Sequence, residues 1–530
     1  MSRQLSRRTF LTASGLASAS AFLTPNAIAQ SSAGSSFGFS TGNSAFLGGL
    51  LPQRPRLTHG IASGDMNTDG AIIWARADKP ARMIVETAAT EDFANPKIFR
   101  ASGLMTPESD LTGKLRLTGL ESGQQIHYRV FLEDPLTGFR SEPSVGTFRT
   151  APSGGRNIRF HWSGDVAGQG YGINPDLGGM FCWKTMADRN PDFFIHSGDT
   201  IYADGPIEET KTLKDGRVWK NITHDSKHKV AESLDEFRGQ YNYNLTDHNY
   251  RAFNAQVPQL IQWDDHEVTN NWYPGEILDS DNYTEKNADV LAARAFQAFH
   301  EWQPLDTAQA VDGRVYRKVS YGPQLDIFVL DMRSYKDANP LNHKGTAADG
   351  MILGEKQLNW LVDALRTSSA TWKVIASDLP IGIIVPDGES QQEGVANGTG
   401  GAPVGRESEI ARLLSAIKEV KNIVWLTADV HYTAAHHYSP ERAAFKDFMP
   451  FWEFVAGPLN AGAFGPNKMD STFGPEVVFY HGAEYPDQSP LDECQHFGEV
   501  DINGENNELT VRLITTRGTE LFTKTLSPAD

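Results

Sequence analysis

Between residues 57 and 152, short runs of alternating apolar and polar residues recur between turn signals. Residues 71–76 (Ala-Ile-Ile-Trp-Ala-Arg), 83–87 (Met-Ile-Val-Glu-Thr), 114–117 (Lys-Leu-Arg-Leu) and 126–131 (Ile-His-Tyr-Arg-Val-Phe) have the β-branched and aromatic content of half-buried strands. Several such runs close together predict a small β-sandwich over 55–152. Residues 150–155 (Thr-Ala-Pro-Ser-Gly-Gly) then read as a linker. Beyond it the pattern changes. Strand-like apolar runs at 158–162, 193–195, 259–263, 325–330, 372–376 and 423–427 alternate with longer stretches, and residues 355–365 and 406–420 carry helical apolar spacing. Alternation of this kind predicts a layered α/β domain over 156–530, closed by a strand pair that includes 509–514.

The bulk numbers agree with an ordinary globular chain: 530 residues, 39% hydrophobic, 22% charged. The net charge of −18 argues against a nucleic-acid or anionic-lipid binder that works through a basic surface. The two cysteines, Cys182 and Cys494, make neither a zinc knuckle nor a disulfide framework. One disulfide and two buried thiols stay equally open.

The first residues are more telling. Ser6-Arg7-Arg8-Thr9-Phe10-Leu11 precedes a short apolar stretch ending at Ala27-Ile28-Ala29, the layout of an export signal over 1–30 rather than a membrane span. The paired arginines resemble a twin-arginine signal, with an ordinary secretory signal as the alternative. A Ser/Gly/Asn-rich segment, 31–54, follows as a flexible lead. No later stretch has the roughly 18 apolar residues that a spanning helix needs. Export by the twin-arginine machinery to the periplasm or medium is the expectation.

The chemistry sits where the strands end. Five successive strand-like runs are followed by Asp165, by Asp199, by Asp264-Asp265-His266, by Asp378, and by Asp429-Val430-His431. Ligands of open α/β sheets gather at the carboxyl ends of strands. So many carboxylates in one crevice would repel unless cations neutralised them. Any one of these Asp residues is equally well read as a turn or helix cap. Five in register are not.

In this order, Gly-Asp, Gly-Asp-x-x-Tyr, x-Asp-His-Glu and Asp-x-His resemble the calcineurin-like metallophosphoesterases. Gly198-Asp199-Thr200-Ile201-Tyr202-Ala203-Asp204 and Trp263-Asp264-Asp265-His266-Glu267-Val268-Thr269-Asn270-Asn271 resemble the alkaline phosphatase D (PhoD) family in particular. Residues 117–123 ahead of Tyr128 also resemble a fibronectin-type corner. The resemblance implies a β-sandwich followed by β-sheets layered between helices, and a dinuclear site hydrolysing phosphate esters with a metal-activated water. It implies one metal on Asp165, Asp199, Tyr202 and His431, where phenolate, carboxylate and imidazole suit Fe³⁺. The second metal, on Asp199, Asp265, Asp378 and Asp429, has oxygen ligands alone, which suit Ca²⁺; Mn²⁺ and Zn²⁺ are the alternatives. Family members end the first strand in Ser-Cys, whereas this chain has Ser163-Gly164-Asp165, making that site richer in carboxylate.

His266 is expected to contact phosphate or protonate the leaving oxygen, against the alternative of a buried structural donor. Asp264 and Glu267 are expected to orient neighbours. Asn270 and Arg333 are candidates for the substrate phosphate, and for Arg333 a structural pairing with an Asp is favoured. Phosphate mono- and diesters are the expected substrates. A phospholipase D-like diesterase is the near alternative, and an exported β-sandwich binding protein with an inactive catalytic domain the distant one.

Overall fold

The computed structural model describes residues 54–343 and 348–529. The signal expected at 1–30, and all but the last residue of the lead expected at 31–54, lie outside them. No helix among the described residues is long and apolar enough to cross a membrane.

Two large sheets face each other. In the first, the strands Ile158–Ser163, Phe193–Ser197 and Gln259–Gln262 run parallel, with Ser163 paired to His196 and Ser197 to Gln262, so their carboxyl ends are level. In the second, Leu325–Val329, Trp372–Ala376, Ile423–Thr427 and Phe451–Val455 are parallel too. Their residues facing between the sheets are apolar: Phe160, Phe193, Ile195 and Leu260 pack against Ile327, Val374, Val424 and Phe454 in one core. Helices cover the outer faces. Cys182–Asp188, Leu234–Asn244, His248–Gln256 and Ala288–Trp302 pack on the first sheet, and Gly354–Thr367 and Arg406–Ala416 on the second.

The N-terminal β-sandwich forms as its alternation requires. Strand Gln125–Glu133 buries every second residue, placing Ile126, Tyr128, Val130 and Leu132 inside. One of its layers is the four-stranded sheet Lys97–Arg100, Arg82–Ala88, Gln125–Glu133, Ser144–Arg149. The other layer does not stop at the sandwich. Strand Leu57–Gly64 pairs in parallel with Gln259–Gln262, so it and its neighbours Ile72–Ala77 and Thr112–Arg116 extend the first catalytic sheet to nine strands. A fully buried ion pair secures the joint: Arg317 grips Asp65 with Nη2–Oδ1 2.7 Å and Nε–Oδ2 2.8 Å. The Tyr128 hydroxyl donates to the Ala255 carbonyl of helix His248–Gln256 at 3.3 Å, so this tyrosine ties the sandwich to the next layer rather than to its own corner.

At the other edge three antiparallel strands, His496–Ile502, Leu509–Thr515 and Glu520–Leu526, complete the first sheet where a pair was expected. His496–Ile502 lies directly beside Ile158–Ser163. Both cysteines are buried free thiols.

Candidate metal centre

The level strand ends bring the singled-out residues to one rim. Asp165, Asp199, Asp429 and His431 all have left-handed backbones, with φ of 66°, 49°, 65° and 60°. Such conformations are uncommon for residues with a Cβ and cluster where side chains must be aimed against local preference. Gly198 permits one of these turns: its φ is +91°, and a Cβ there would meet that of Asp264 at 2.4 Å.

Asp165, Asp199 and His431 form one group whose ligand atoms lie within 4.8 Å of each other. His431 Nε2 is 3.0 Å from Asp165 Oδ1 and 2.9 Å from the Tyr202 hydroxyl, which lies 3.4 Å from the same Asp165 oxygen. His431 Nδ1 contacts the Gly462 carbonyl at 2.5 Å, which assigns its proton there and leaves the Nε2 lone pair towards Tyr202 and Asp165. Burial pushes the Tyr202 hydroxyl well above its usual range, and Asp199, Asp165 and Asp265 add to this. Only a strong cation would make it a phenolate.

Asp199 belongs also to a second group with Asp265 and His266, and Asp264, Asp265 and Asp429 form a third. Burial, with Asp265 and Asp165 nearby, raises the Asp199 carboxyl well above its usual range despite the opposing charge of His266. Burial likewise raises Asp429, with Glu393 and Asp265 adding to it. Asp378 is buried, with Oδ1 3.4 Å from Gln262 Nε2 and Oδ2 3.5 Å from Arg333 Nε. Burial moves it up to about 6. Asp165 Oδ2, Asp265 Oδ1, Asp264 Oδ2 and Asp378 Oδ2 are buried and take no hydrogen bond from the protein. Converging, unsatisfied carboxylate oxygens beside an imidazole and a phenol are a donor set that fits hard cations.

Around these groups other residues hold positions. Glu267 is fully enclosed and accepts from the backbone of Asp199 (3.1 Å), Thr200 (2.6 Å) and Asp264 (2.7 Å), and from the Thr200 hydroxyl (2.6 Å). It therefore clamps the second and third strand ends together. His266 lies at the rim, its ring stacked on Tyr202 with centroids 4.0 Å apart. Its Nδ1 is 2.7 Å from Asp204 Oδ1, and its Nε2 is 4.0 Å from Asp265 Oδ2. Burial opposes its protonation, but Asp204, Asp265 and Asp199 outweigh that and hold it well above the usual imidazole range.

Asn270 is exposed and contributes its backbone N–H to Asp204 at 2.8 Å. Arg333 is fully buried among carboxylates, with Nε 2.6 Å from Asp264 Oδ1 and an ion pair to Glu393. Neither Asp204 nor Glu393 had an assigned role in the sequence. Asp204 was findable, because it closes the Gly-Asp-x-x-Tyr-x-Asp run; Glu393 sits in no motif and could not be read.

Comparison with known proteins agrees with this geometry. Residues 160–513 match the PhoD-like phosphatase family, and residues 45–152 match the N-terminal domain of PhoD-like phosphatases. Alkaline phosphatase D of Bacillus subtilis (strain 168) is 29% identical over 438 residues, covering 78% of this chain and 71% of that protein. The solved structure of PhoD shares the fold, with a TM-score of 0.66 over 89% of this chain and 92% of its own at 22% identity. Strand ends, clamp and rim histidine thus belong to a phosphoric ester hydrolase, and the chain is a member of the PhoD-like phosphatase family.

Proposed function

We propose that this chain is an exported alkaline phosphatase and phosphodiesterase with a dinuclear Fe³⁺/Ca²⁺ site. One observation carries the reading: Asp199 belongs to both the Asp165–His431 group and the Asp265–His266 group, the placement of a carboxylate shared by two cations. Asp165, Asp199, Tyr202 and His431 would hold the iron, and Asp199, Asp265, Asp378 and Asp429 the calcium. Bound there, the cations supply Lewis-acid charge for the phosphoryl oxygens and a nucleophile at neutral pH.

The chain's own residues do the rest. Asp204 fixes the His266 ring through Nδ1 and leaves Nε2 facing the rim. A protonated His266 there can hand its Nε2 proton to the leaving alkoxide. Tyr202 supports the ring from below by stacking. Glu267 fixes the distance between the Asp199 and Asp264 turns, so the ligands need no reorganisation as charge develops. The resemblance of residues 6–11 to a twin-arginine signal supports delivery to the periplasm or medium in a folded state.

Elemental analysis of purified protein, combined with assays on nitrophenyl phosphate and bis-nitrophenyl phosphate, tests this. Iron and calcium with hydrolysis of both esters is the expected result. Asp199→Asn should lose activity and metal together; a fully metallated, active variant would refute the shared-ligand reading.

A further inference from the structure

Lys227 ends a single 3-10 turn, Asp225–Lys227, and carries its amine into the protein rather than out to water. The residue is 2% exposed. Its Nζ donates to the Tyr202 carbonyl and to Gln240 Oε1, both at 2.7 Å, and lies 5.9 Å from the centre of the Tyr243 ring. Gln240 is itself held, because its Nε2 donates to the Ser226 carbonyl at 2.6 Å. Both acceptors of the amine are neutral carbonyl oxygens, whereas a buried lysine is ordinarily paired with a carboxylate. Stability alone does not account for such a lysine.

The carbonyl that Lys227 grips is the pivot of a turn on the rim. It also accepts the Gly205 N–H at 3.2 Å, which closes the turn Tyr202-Ala203-Asp204-Gly205. That turn meets His266 in three ways. The Tyr202 ring stacks on the imidazole, Asp204 Oδ1 stands 2.7 Å from Nδ1, and the Ala203 N–H donates to the His266 carbonyl at 2.8 Å. The chain around Lys227 is tied to the same segment, since the Ile207 N–H donates to the Lys227 carbonyl and the Ala231 N–H to the Ala203 carbonyl, each at 2.8 Å.

We propose that Lys227 is a positioning residue for His266, acting through the Tyr202 carbonyl. It fixes the turn so that the Tyr202 ring stays beneath the imidazole and Asp204 stays against Nδ1, which keeps Nε2 aimed at the leaving oxygen. The amine itself is buried behind the turn and touches no substrate. The proposal rests on the reading of His266 as the proton donor given above.

The test compares the full chain with Lys227→Met, Gln240→Leu and His266→Ala, and with each of the first two combined with His266→Ala. For each, kcat per metal-loaded chain is measured on alkyl phosphates and on nitrophenyl phosphate. Methionine keeps the length and apolar stem of lysine and removes the donor. Lys227→Met should lose about tenfold or more on alkyl phosphates and little on nitrophenyl phosphate, whose leaving group needs no proton. In the His266→Ala background the same substitution should cost no more than about twofold, because the ring it positions is gone. Gln240→Leu leaves the lysine but removes one of its anchors, so it should show the same bias less strongly.

A Lys227→Met loss that is uniform across leaving groups overturns the proposal, and so do losses that multiply in the double variant. Should Lys227→Met fail to fold, Gln240→Leu decides in its place: a biased loss that vanishes in the His266→Ala background supports the proposal, and an unbiased one overturns it. A bias in His266→Ala without one in Lys227→Met removes this proposal alone. A uniform loss in His266→Ala removes the proton-donor reading itself, and this proposal with it.

Discussion

His266 Nδ1 and Asp204 Oδ1 stand 2.7 Å apart, and that pair decides which ring nitrogen faces the rim. Burial alone would raise the Asp204 carboxyl, but the charge of His266 outweighs it and holds Asp204 below its usual range. His266→Ala should slow hydrolysis of alkyl phosphates roughly 10²-fold or more, and esters with good leaving groups much less. Asp204→Asn should show the same leaving-group bias more weakly, since it keeps the acceptor but loses the charge. The check is a plot of log kcat against leaving-group pKa. A uniform drop across leaving groups would exclude His266 as the proton donor.

Glu267 touches no proposed ligand side chain, yet three backbone amides and one hydroxyl depend on it. In Glu267→Ala those donors lose their acceptor inside the protein, at about 1–3 kcal/mol for each that stays unpaired. The variant should melt well below wild type and bind metal weakly. Glu267→Gln should be intermediate, because its amide turns one acceptor into a donor facing donors. Thermal melts with elemental analysis will read both effects.

Tyr202 tests the identity of the first metal. Its hydroxyl lies between His431 and Asp165, where a ferric ion would make it a phenolate and give a visible charge-transfer band. Tyr202→Phe should bleach the purified protein while costing only about 1–3 kcal/mol of stability, since the ring and its stacking on His266 remain. A colourless wild type with stoichiometric zinc and no iron would sink the iron assignment.

Glu407 offers a pH test at a carboxyl that belongs to none of the candidate metal groups. Burial first, then the charge of Asp470, raises it from 4.5 to about 8. The folded state therefore binds a proton that the unfolded chain releases near 4.5. Its contribution to stability is greatest below that value and declines as pH climbs towards 8. Glu407→Gln should abolish this decline, so the melting temperature of the variant minus that of wild type should rise between pH 5 and 9. A difference independent of pH would contradict the buried, protonated state.

The sequence by itself determined the parts that rest on local pattern. Alternation over 126–131 is enough to make a half-buried strand, and Gln125–Glu133 is one. The apolar runs before Asp165, Asp199, Asp264, Asp378 and Asp429 are long enough for buried parallel strands, and level pairing of such strands brings their ends to one rim. Helix Ala288–Trp302, absent from the sequence reading, carries its own local signals in Leu291, Ala295, Ala298, Phe299 and Trp302 and the Asn287 cap.

Only the tertiary structure decided the rest. Nothing near Leu57–Gly64 announces that it pairs with Gln259–Gln262, or near His496–Ile502 that it lies beside Ile158–Ser163. The pairing of Arg333 with Asp264 and Glu393 joins residues 69 and 60 positions apart. Periodicity and caps act over one or two turns, whereas the partner of a buried charge is settled by whichever opposite charge the packed layers leave within reach.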